Sequence, residues 1–341
     1  MTLTYFLVGR YIVEDEQQGE ERAMYAKETL KFLSENLTKE FGKGFSERNL
    51  ALMKKFYLVY KEEIISENIL QTEIAKLYQD TENVQNDKIL QTPFAKSYQG
   101  IQNQLNTLIS FKLSWAHYII LCRISNKEER KFYEIETLNN NWTFKELERQ
   151  YNSSLYERLV LSRNKKKVKE LSEKGQIVEK PEDAIKNPLV LEFLGLKEDC
   201  SYSETDLETA IINKIEHFLL ELGKGFLFQG RQVRFTFEEE HFFVDLVFYN
   251  RLLRCFVVID LKIGKLKHQD IGQMQMYVNY YDRFVKTPEE NKTIGIIICK
   301  DKKDAIVELT LPENNNQIFA SQYQLYLPSK DDLKRLLENK I

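Results

Sequence analysis

Apolar residues recur at helical spacing through the first half of the chain, whereas the second half adds short, nearly unbroken apolar runs. MTLTYFLVGRYIV (1–13) reads as one face of a buried helix, entered partway through its first turns. In KETLKFLSENLTKEFG (27–42), Leu30, Phe32, Leu33, Leu37 and Phe41 fall at helical spacing and Gly42 is positioned to end the helix. Ser46 then precedes ERNLALMKKFYLVYKEE, with Glu47, Arg48, Lys54 and Lys55 between its apolar positions. A similar pair recurs at 142–162, where Thr143 can cap FKELERQYN and Ser153 or Ser154 can cap LYERLVLS. Two short helices around a turn fit a helix-turn-helix and a plain helical bundle equally well. From 203 the pattern changes. SETDLETAIINKIEHFLLELG predicts one helix running from an N-cap at Ser203 to a stop at Gly223. FLFQGRQVRFTF (226–237), HFFVDLVFY (241–249) and CFVVIDLKI (255–263) predict three strands, the last two joined by a hairpin-sized link at 250–253. HQDIGQMQMYVNYYDRFV (268–285) predicts a helix and TIGIIICK (293–300) a further buried strand. The order is α-β-β-β-α-β, an α/β core of ordinary domain size.

Two features interrupt the helical half. ILQTEIAKLYQD (69–80) recurs as ILQTPFAKSYQG (89–100), and two copies are too few for a solenoid, so the tract reads as a local tandem duplication within an insert at about 64–108. A basic run, Arg163-Asn164-Lys165-Lys166-Lys167-Val168-Lys169, fits either a solvated tract or phosphate contact. The polar stretch 170–200, with Pro181 and Pro188, is where a boundary is expected: a helical N-terminal domain over 1–180 and an α/β domain over 190–341.

Composition removes several classes. The formal net charge is −3, so any surface that binds nucleic acid must be local. Cys122, Cys200, Cys255 and Cys299 are scattered with no CxxC pair, against a zinc site or a disulfide framework and in keeping with a reducing cytoplasm. No stretch approaches the roughly 20 apolar residues of a membrane span. His117, His217 and His241 have no spacing suited to zinc or to a Ser-His-Asp arrangement, and neither GKGF tract (42–45, 223–226) continues into a phosphate-binding loop.

The candidate chemistry lies on two strands. Side chains alternate faces along a strand, so Asp260 and Lys262 emerge together from CFVVIDLKI, while Asp245 sits on the strand before it. Charges among Phe, Val and Ile are costly unless paired or bound to a metal. The set fits a divalent-metal site with a lysine aimed at it, suited to phosphodiester hydrolysis, or else a structural ion pair inside the sheet. Asp245 and Asp260 would supply carboxylates and the Leu261 carbonyl a backbone ligand to Mg²⁺ or Mn²⁺, with Lys262 orienting water and stabilising negative charge.

This element order, with Asp245-x14-Asp260-x-Lys262 followed by Gln273-x-x-x-Tyr277, resembles the PD-(D/E)XK nuclease superfamily. ELGKGFLFQGRQ (221–232) and DLKIGKLKHQDIGQMQMY (260–277) are similar to the YhcG-type bacterial proteins, as are GRYIVEDEQ (9–17), LTKEFGKGFSERNLALMKKFY (37–57) and LYERL (155–159) of the helical half. The resemblance covers nearly the whole chain apart from the duplicated insert. It implies a restriction-endonuclease-like α-β-β-β-α-β core behind an all-α N-terminal domain, and a metal-dependent nuclease acting on DNA. It implies that Glu208 is the helix acid, with Glu204 the alternative, and that Gln273 and Tyr277 help to place the lysine or the DNA strand. Lys265, Lys267 and His268 are further candidates for phosphate contact. The family usually carries Glu where this chain has Asp260, one methylene shorter. The resemblance further implies a cytoplasmic protein whose N-terminal domain binds DNA or a partner, including a second copy. The alternative reading is a non-catalytic DNA-binding or assembly module that keeps the nuclease fold.

Overall fold

A computed structural model describes residues 1–18, 24–65, 111–161, 165–197, 202–302, 304–329 and 333. The duplicated tract, Cys200 and the start of the basic run lie outside them, as do the side chains of Lys165–Val168. The chain divides into two compact units, Met1–Arg130 and Lys131–Ile341.

In the first unit, helices α1 (Thr2–Gln18), α2 (Met24–Phe41) and α3 (Glu47–Ile65) are followed by α4 (Trp115–Leu121). Gly42, at φ 88°, leaves the helical region and ends α2 as expected. The close approach of α1 to α3 is set by Gly9, where an added Cβ would lie 2.1 Å from the Met53 carbonyl oxygen. Around that contact Phe6, Phe56, Tyr60 and Tyr118 form a chain of edge-to-face and tilted rings. Arg48 and Lys55 are exposed on α3.

The second unit follows from α5 (Lys127–Asn140), inside which the division falls, through α6 (Phe144–Asn152), α7 (Leu155–Leu161) and α8 (Lys165–Lys174). Thr143 caps α6 in a reciprocal box with Glu146. Helix α7 buries Leu155, Tyr156, Glu157, Arg158 and Leu159. Arg158 Nη1 pairs with Glu221 Oε1 at 2.5 Å, Arg149 with Glu221 at 3.2 Å and Glu192 at 3.1 Å. Lys224 reaches Glu136 at 2.7 Å. These charges tie the helices from 131 onward to the sheet, so the compact unit begins well before the expected boundary between 180 and 190.

The sheet has six strands in the order β1-β6-β5-β4-β3-β2: β1 (Leu189–Val190), β2 (Phe226–Phe237), β3 (Glu240–Asn250), β4 (Cys255–Lys265), β5 (Ile294–Asp301) and β6 (Ile318–Gln324). β2, β3 and β4 are antiparallel neighbours, while β4, β5, β6 and β1 are parallel. The expected helix over 203–223 is two, α9 (Glu204–Asn213) and α10 (Ile215–Leu222), broken at Lys214 (φ −126°, ψ 33°) behind Ile211, Ile212 and Asn213, residues of modest helix propensity. Ser203 caps α9 and Gly223 ends α10. Their apolar face, Leu207, Ile211, Phe218 and Leu222, packs on Leu246, Phe248, Val257, Ile259 and Leu261. Helix α11 (His268–Tyr280) covers the opposite face through Ile271, Met274, Tyr277 and Val278, against Val244, Val247, Val258 and Ile297. It continues as a π-helical turn over Tyr281–Val285 rather than as α-helix. Helix α12 (Asp304–Thr310) joins β5 to β6. No helix among the described residues is long and apolar enough to cross a membrane.

Candidate active site

The site forms where β3 and β4 leave the paired part of the sheet, because the antiparallel ladder between them ends at Leu246 and Ile259. Beyond that point Asp245 is not engaged by the ladder. Its Oδ2 accepts the Leu261 backbone N–H at 2.8 Å, so the carboxylate of β3 caps the backbone of β4 between Asp260 and Lys262. On β4, Leu261 belongs to the α9/α10 face of the sheet, whereas Asp260 and Lys262 emerge together on the α11 face, as the alternation predicts. Lys262 Nζ lies 2.8 Å from Asp260 Oδ2 and 3.7 Å from Glu204 Oε2.

Glu208, on α9, is buried. One of its carboxylate oxygens accepts from the Gln232 amide, which also donates to Asp245 Oδ1 at 3.0 Å. Arg231 Nε stands 3.4 Å from the other Glu208 oxygen. Both Glu204 and Glu208 therefore approach the site, but on different partners: Glu208 on the Asp245 side through Gln232, and Glu204 on the lysine.

Sequence reasoning assigned no role to Gln232 or Arg231. Gln232 adopts φ 47° inside a strand, a conformation an L-residue takes at a cost. The signal that could have found it is register. Phe237 pairs with Glu240 across a two-residue turn, Glu238-Glu239, and counting back from it sets Gln232 opposite Asp245. Both turn residues have positive φ, as a type I′ hairpin requires, but they are Glu rather than the usual Asn or Gly.

Burial pushes the Asp260 carboxyl up to about 7; the Lys262 ammonium opposes this and the Asp245 charge adds to it. Burial draws Lys262 down, yet Asp260, Glu204 and Asp245 together outweigh it and hold the ammonium above its ordinary value. Burial likewise raises Glu208, partly offset by the Gln232 hydrogen bond.

Gln273 donates to the Tyr277 hydroxyl, which donates in turn to the Phe243 carbonyl at 2.9 Å. This pair anchors α11 to β3 two residues before Asp245. Tyr277, raised first by burial and also by the charges of Asp260 and Asp245, lies within their electrostatic reach. Lys265, Lys267 and His268 are exposed just beyond the site, at the end of β4 and the start of α11. The other three histidines are engaged elsewhere: His117 contacts Ser114, His217 stacks on Phe193, and His241 contacts Thr236 and Arg234. Cys122, Cys255 and Cys299 are buried free thiols.

No three acidic, histidine or cysteine side chains among the described residues converge tightly enough to enclose a metal ion by themselves. The donor set does fit a partly hydrated hard cation, which takes one or two carboxylates plus water and substrate oxygens. Asp260 is 2% exposed, and its Oδ2 and Glu208 Oε1 are enclosed oxygens whose neighbours are already cations, the Lys262 ammonium at 2.8 Å and the Arg231 guanidinium at 3.4 Å, so both positions draw positive charge.

Residues 182–338 match the YhcG PDDEXK nuclease domain, and residues 1–78 and 70–158 each match the DUF1016 N-terminal domain. The "Putative nuclease YhcG" of Escherichia coli (strain K12) is 38% identical over 339 residues, 99% of this chain and 86% of that protein. Two solved structures are similar at lower identity. A repair endonuclease from Pyrococcus abyssi is 18% identical with a TM-score of 0.25, over 39% of this chain and 50% of its own. The "Structure of EndoMS-dsDNA2 complex" is 16% identical with a TM-score of 0.27, over 40% and 50%. Both likenesses span half of those chains and are too distant to bear on the site.

Proposed function

The chain belongs to the YhcG family, whose C-terminal domain is a PDDEXK nuclease domain, and from that premise we propose that it is a metal-dependent nuclease hydrolysing DNA phosphodiester bonds. The observation that supports this most directly is the meeting of Asp245, Asp260 and Lys262 at the end of the β3–β4 ladder, with Glu208 linked in through Gln232. A structural ion pair would need only Asp260 and Lys262; it gives no reason for two further carboxylates around them.

Asp245, Asp260 and the Leu261 carbonyl would hold a Mg²⁺ or Mn²⁺ ion, with Glu208, linked to Asp245 through Gln232, as the further acid of the set. When bound, such an ion supplies Lewis-acid polarisation of the phosphate and lowers the pKa of water. Lys262, kept protonated by Asp260, sets a positive charge where negative charge grows on the phosphate oxygens. Asp245, fixed by the Leu261 N–H, holds the two strands in register at the reacting position. Gln273 and Tyr277 act through position: their link to Phe243 fixes the strand that carries Asp245. Lys265, Lys267 and His268, exposed just beyond the site, would contact the phosphates of a DNA strand. The N-terminal helices, with Arg48 and Lys55 exposed on α3, would carry DNA or a partner in the cytoplasm.

Two measurements test the reading. Isothermal calorimetry with Mg²⁺ or Mn²⁺ is expected to show a site that Asp245→Ala abolishes. Nicking of supercoiled plasmid is expected to fall about 10²-fold or more in Lys262→Ala, the size of losing one preorganised charge at a developing anion. A chain that binds no divalent ion, or whose Lys262→Ala variant cleaves like wild type, is not this enzyme.

A further inference from the structure

Helix α11 carries two rows of side chains that the catalytic reading does not use. Gln275, Asn279 and Arg283 follow one another at intervals of four, and Gly272, Met276, Tyr280 and Phe284 form the adjacent row. Together with Phe235 and Phe237 of β2 they line an open cavity of about 340 Å³, at the small end of ligand-sized pockets.

Three details argue that something planar enters it. Phe237 is 49% exposed and Phe284 63%, large apolar surfaces left in water beside one another. Their ring centroids are 6.4 Å apart with the planes tilted by 40°, a contacting aromatic pair whose outer faces stay open to a further ring. Tyr280 stacks on Phe235 at 4.0 Å and makes a rigid aromatic wall behind them. Gly272 lies at the exposed edge of the cavity. A Cβ built there meets nothing within 4 Å, so packing does not demand glycine, and glycine within a helix is itself a cost. What Gly272 does is keep the cavity open. Phe284 is presented by the π-helical turn, a local distortion that sets it off the regular helical path.

The polar row decides the class of occupant. Gln275 donates to Asn279 at 3.3 Å, and each amide retains donor and acceptor capacity suited to the edge of a base. Arg283 is exposed beside them and can meet a phosphate. The cavity also adjoins the candidate active site. Phe235 lies three residues from Gln232 along β2, about 10 Å, and contacts Tyr277, whose hydroxyl is bonded two residues from Asp245.

We propose that this cavity receives one unpaired nucleobase of the nucleic acid cut at the adjacent carboxylates, stacked on its exposed aromatic rings and read at its edge by Gln275 and Asn279. This rests on the nuclease reading and narrows it. The substrate is DNA carrying an unpaired or extrudable nucleotide within a few duplex steps, about 3.4 Å each, of the cleaved bond.

The test uses the full chain in EDTA, so that no cleavage occurs. Fluorescence anisotropy compares a fully paired oligonucleotide duplex with the same duplex carrying one unpaired 2-aminopurine. The unpaired form is expected to bind at least tenfold more tightly, with its emission quenched by stacking. Gly272→Leu places a good helix former into open space and fills the cavity. It is expected to remove the preference and the quenching, while leaving affinity for the paired duplex and the calorimetric metal site unchanged. Phe284→Ala is expected to lose part of the preference. Equal affinity for the two duplexes, a preference that survives Gly272→Leu, or binding to neither duplex overturns the proposal. Metal-dependent cleavage without any base preference would sink this inference alone. A base preference in a chain with no metal site would sink the nuclease reading instead.

Discussion

Glu221 is the residue on which the second unit turns. Its side chain is fully enclosed and meets Arg158, Arg149 and the Val190 N–H, while its backbone carbonyl accepts from Lys186. Burial alone would raise it, but Arg158, Lys186 and Arg149 outweigh burial and hold it at about 2. A carboxyl depressed on folding adds stability above its unfolded pKa, near 4.5, and loses it as pH falls toward 2. The difference corresponds to about 3 kcal/mol. Thermal unfolding of the wild type and Glu221→Gln at stepped pH should therefore show a gap that narrows by about half of that amount between pH 5 and 3. A gap of constant size from pH 7 to 3 would show that the charge is not what matters. Hydropathy gives no warning of this residue, because Glu221 stands in ELGKGF like any surface acid of an amphipathic helix. The catalytic candidates were legible for the opposite reason: Asp260 and Lys262 interrupt an apolar run that has no use for charge. Gln232 was not, since its meaning lies in a strand register fixed by a Glu-Glu turn without the usual turn residues.

Helix α11 shows what a single element can and cannot reveal. Its existence, its start at His268 and the pairing of Gln273 with Tyr277 follow from spacing, but its fit to the sheet depends on Gly295 in β5. A Cβ there would come within 2.5 Å of Met274 Sδ and 2.8 Å of Val278 Cγ2. In the sequence Gly295 is only a small residue inside TIGIIICK; its reason is tertiary. Gly295→Ala should cost about 1–3 kcal/mol by overpacking. Met274→Ala in the same chain should recover part of it, so that the double variant is more stable than the sum of the two losses. Urea denaturation of the four forms measures this, and simple additivity would mean that α11 shifts freely on the sheet. The short β1 and the strand β6 escaped the sequence for a related reason: two residues, and a polar-interrupted IFASQYQ, acquire strand character only from pairing with each other and, for β6, with β5. The break at Lys214 escaped because the apolar face of 203–223 is continuous across it.

At the scale of the whole chain, composition and contact disagree about where the parts begin. Polar residues and prolines at 170–200 suggested a linker, and the two family matches, ending at 158 and beginning at 182, leave the same interval between them. The contacts divide the chain at Arg130 instead. The reason is charge hidden from hydropathy: Arg149 and Arg158 come from the helical part and neutralise Glu221, Lys224 from the sheet side neutralises Glu136, and the Gln176 N–H donates to Glu136 at 2.7 Å. A fragment starting at 182 would keep Glu221 buried with Lys186 as its one remaining basic partner, and removing one side of a buried pair costs about 3–5 kcal/mol. A fragment starting at 131 keeps every one of these pairs. Residues 131–341 should therefore unfold in a single cooperative transition in urea, whereas 182–341 should be several kcal/mol less stable or fail to fold at all. Replacing Glu221 by Leu in the shorter fragment should restore part of the loss, since an apolar side chain of similar size leaves no charge to neutralise. If 182–341 folds as stably as 131–341, the helices before it are an accessory, and the nuclease domain begins where composition alone would place it.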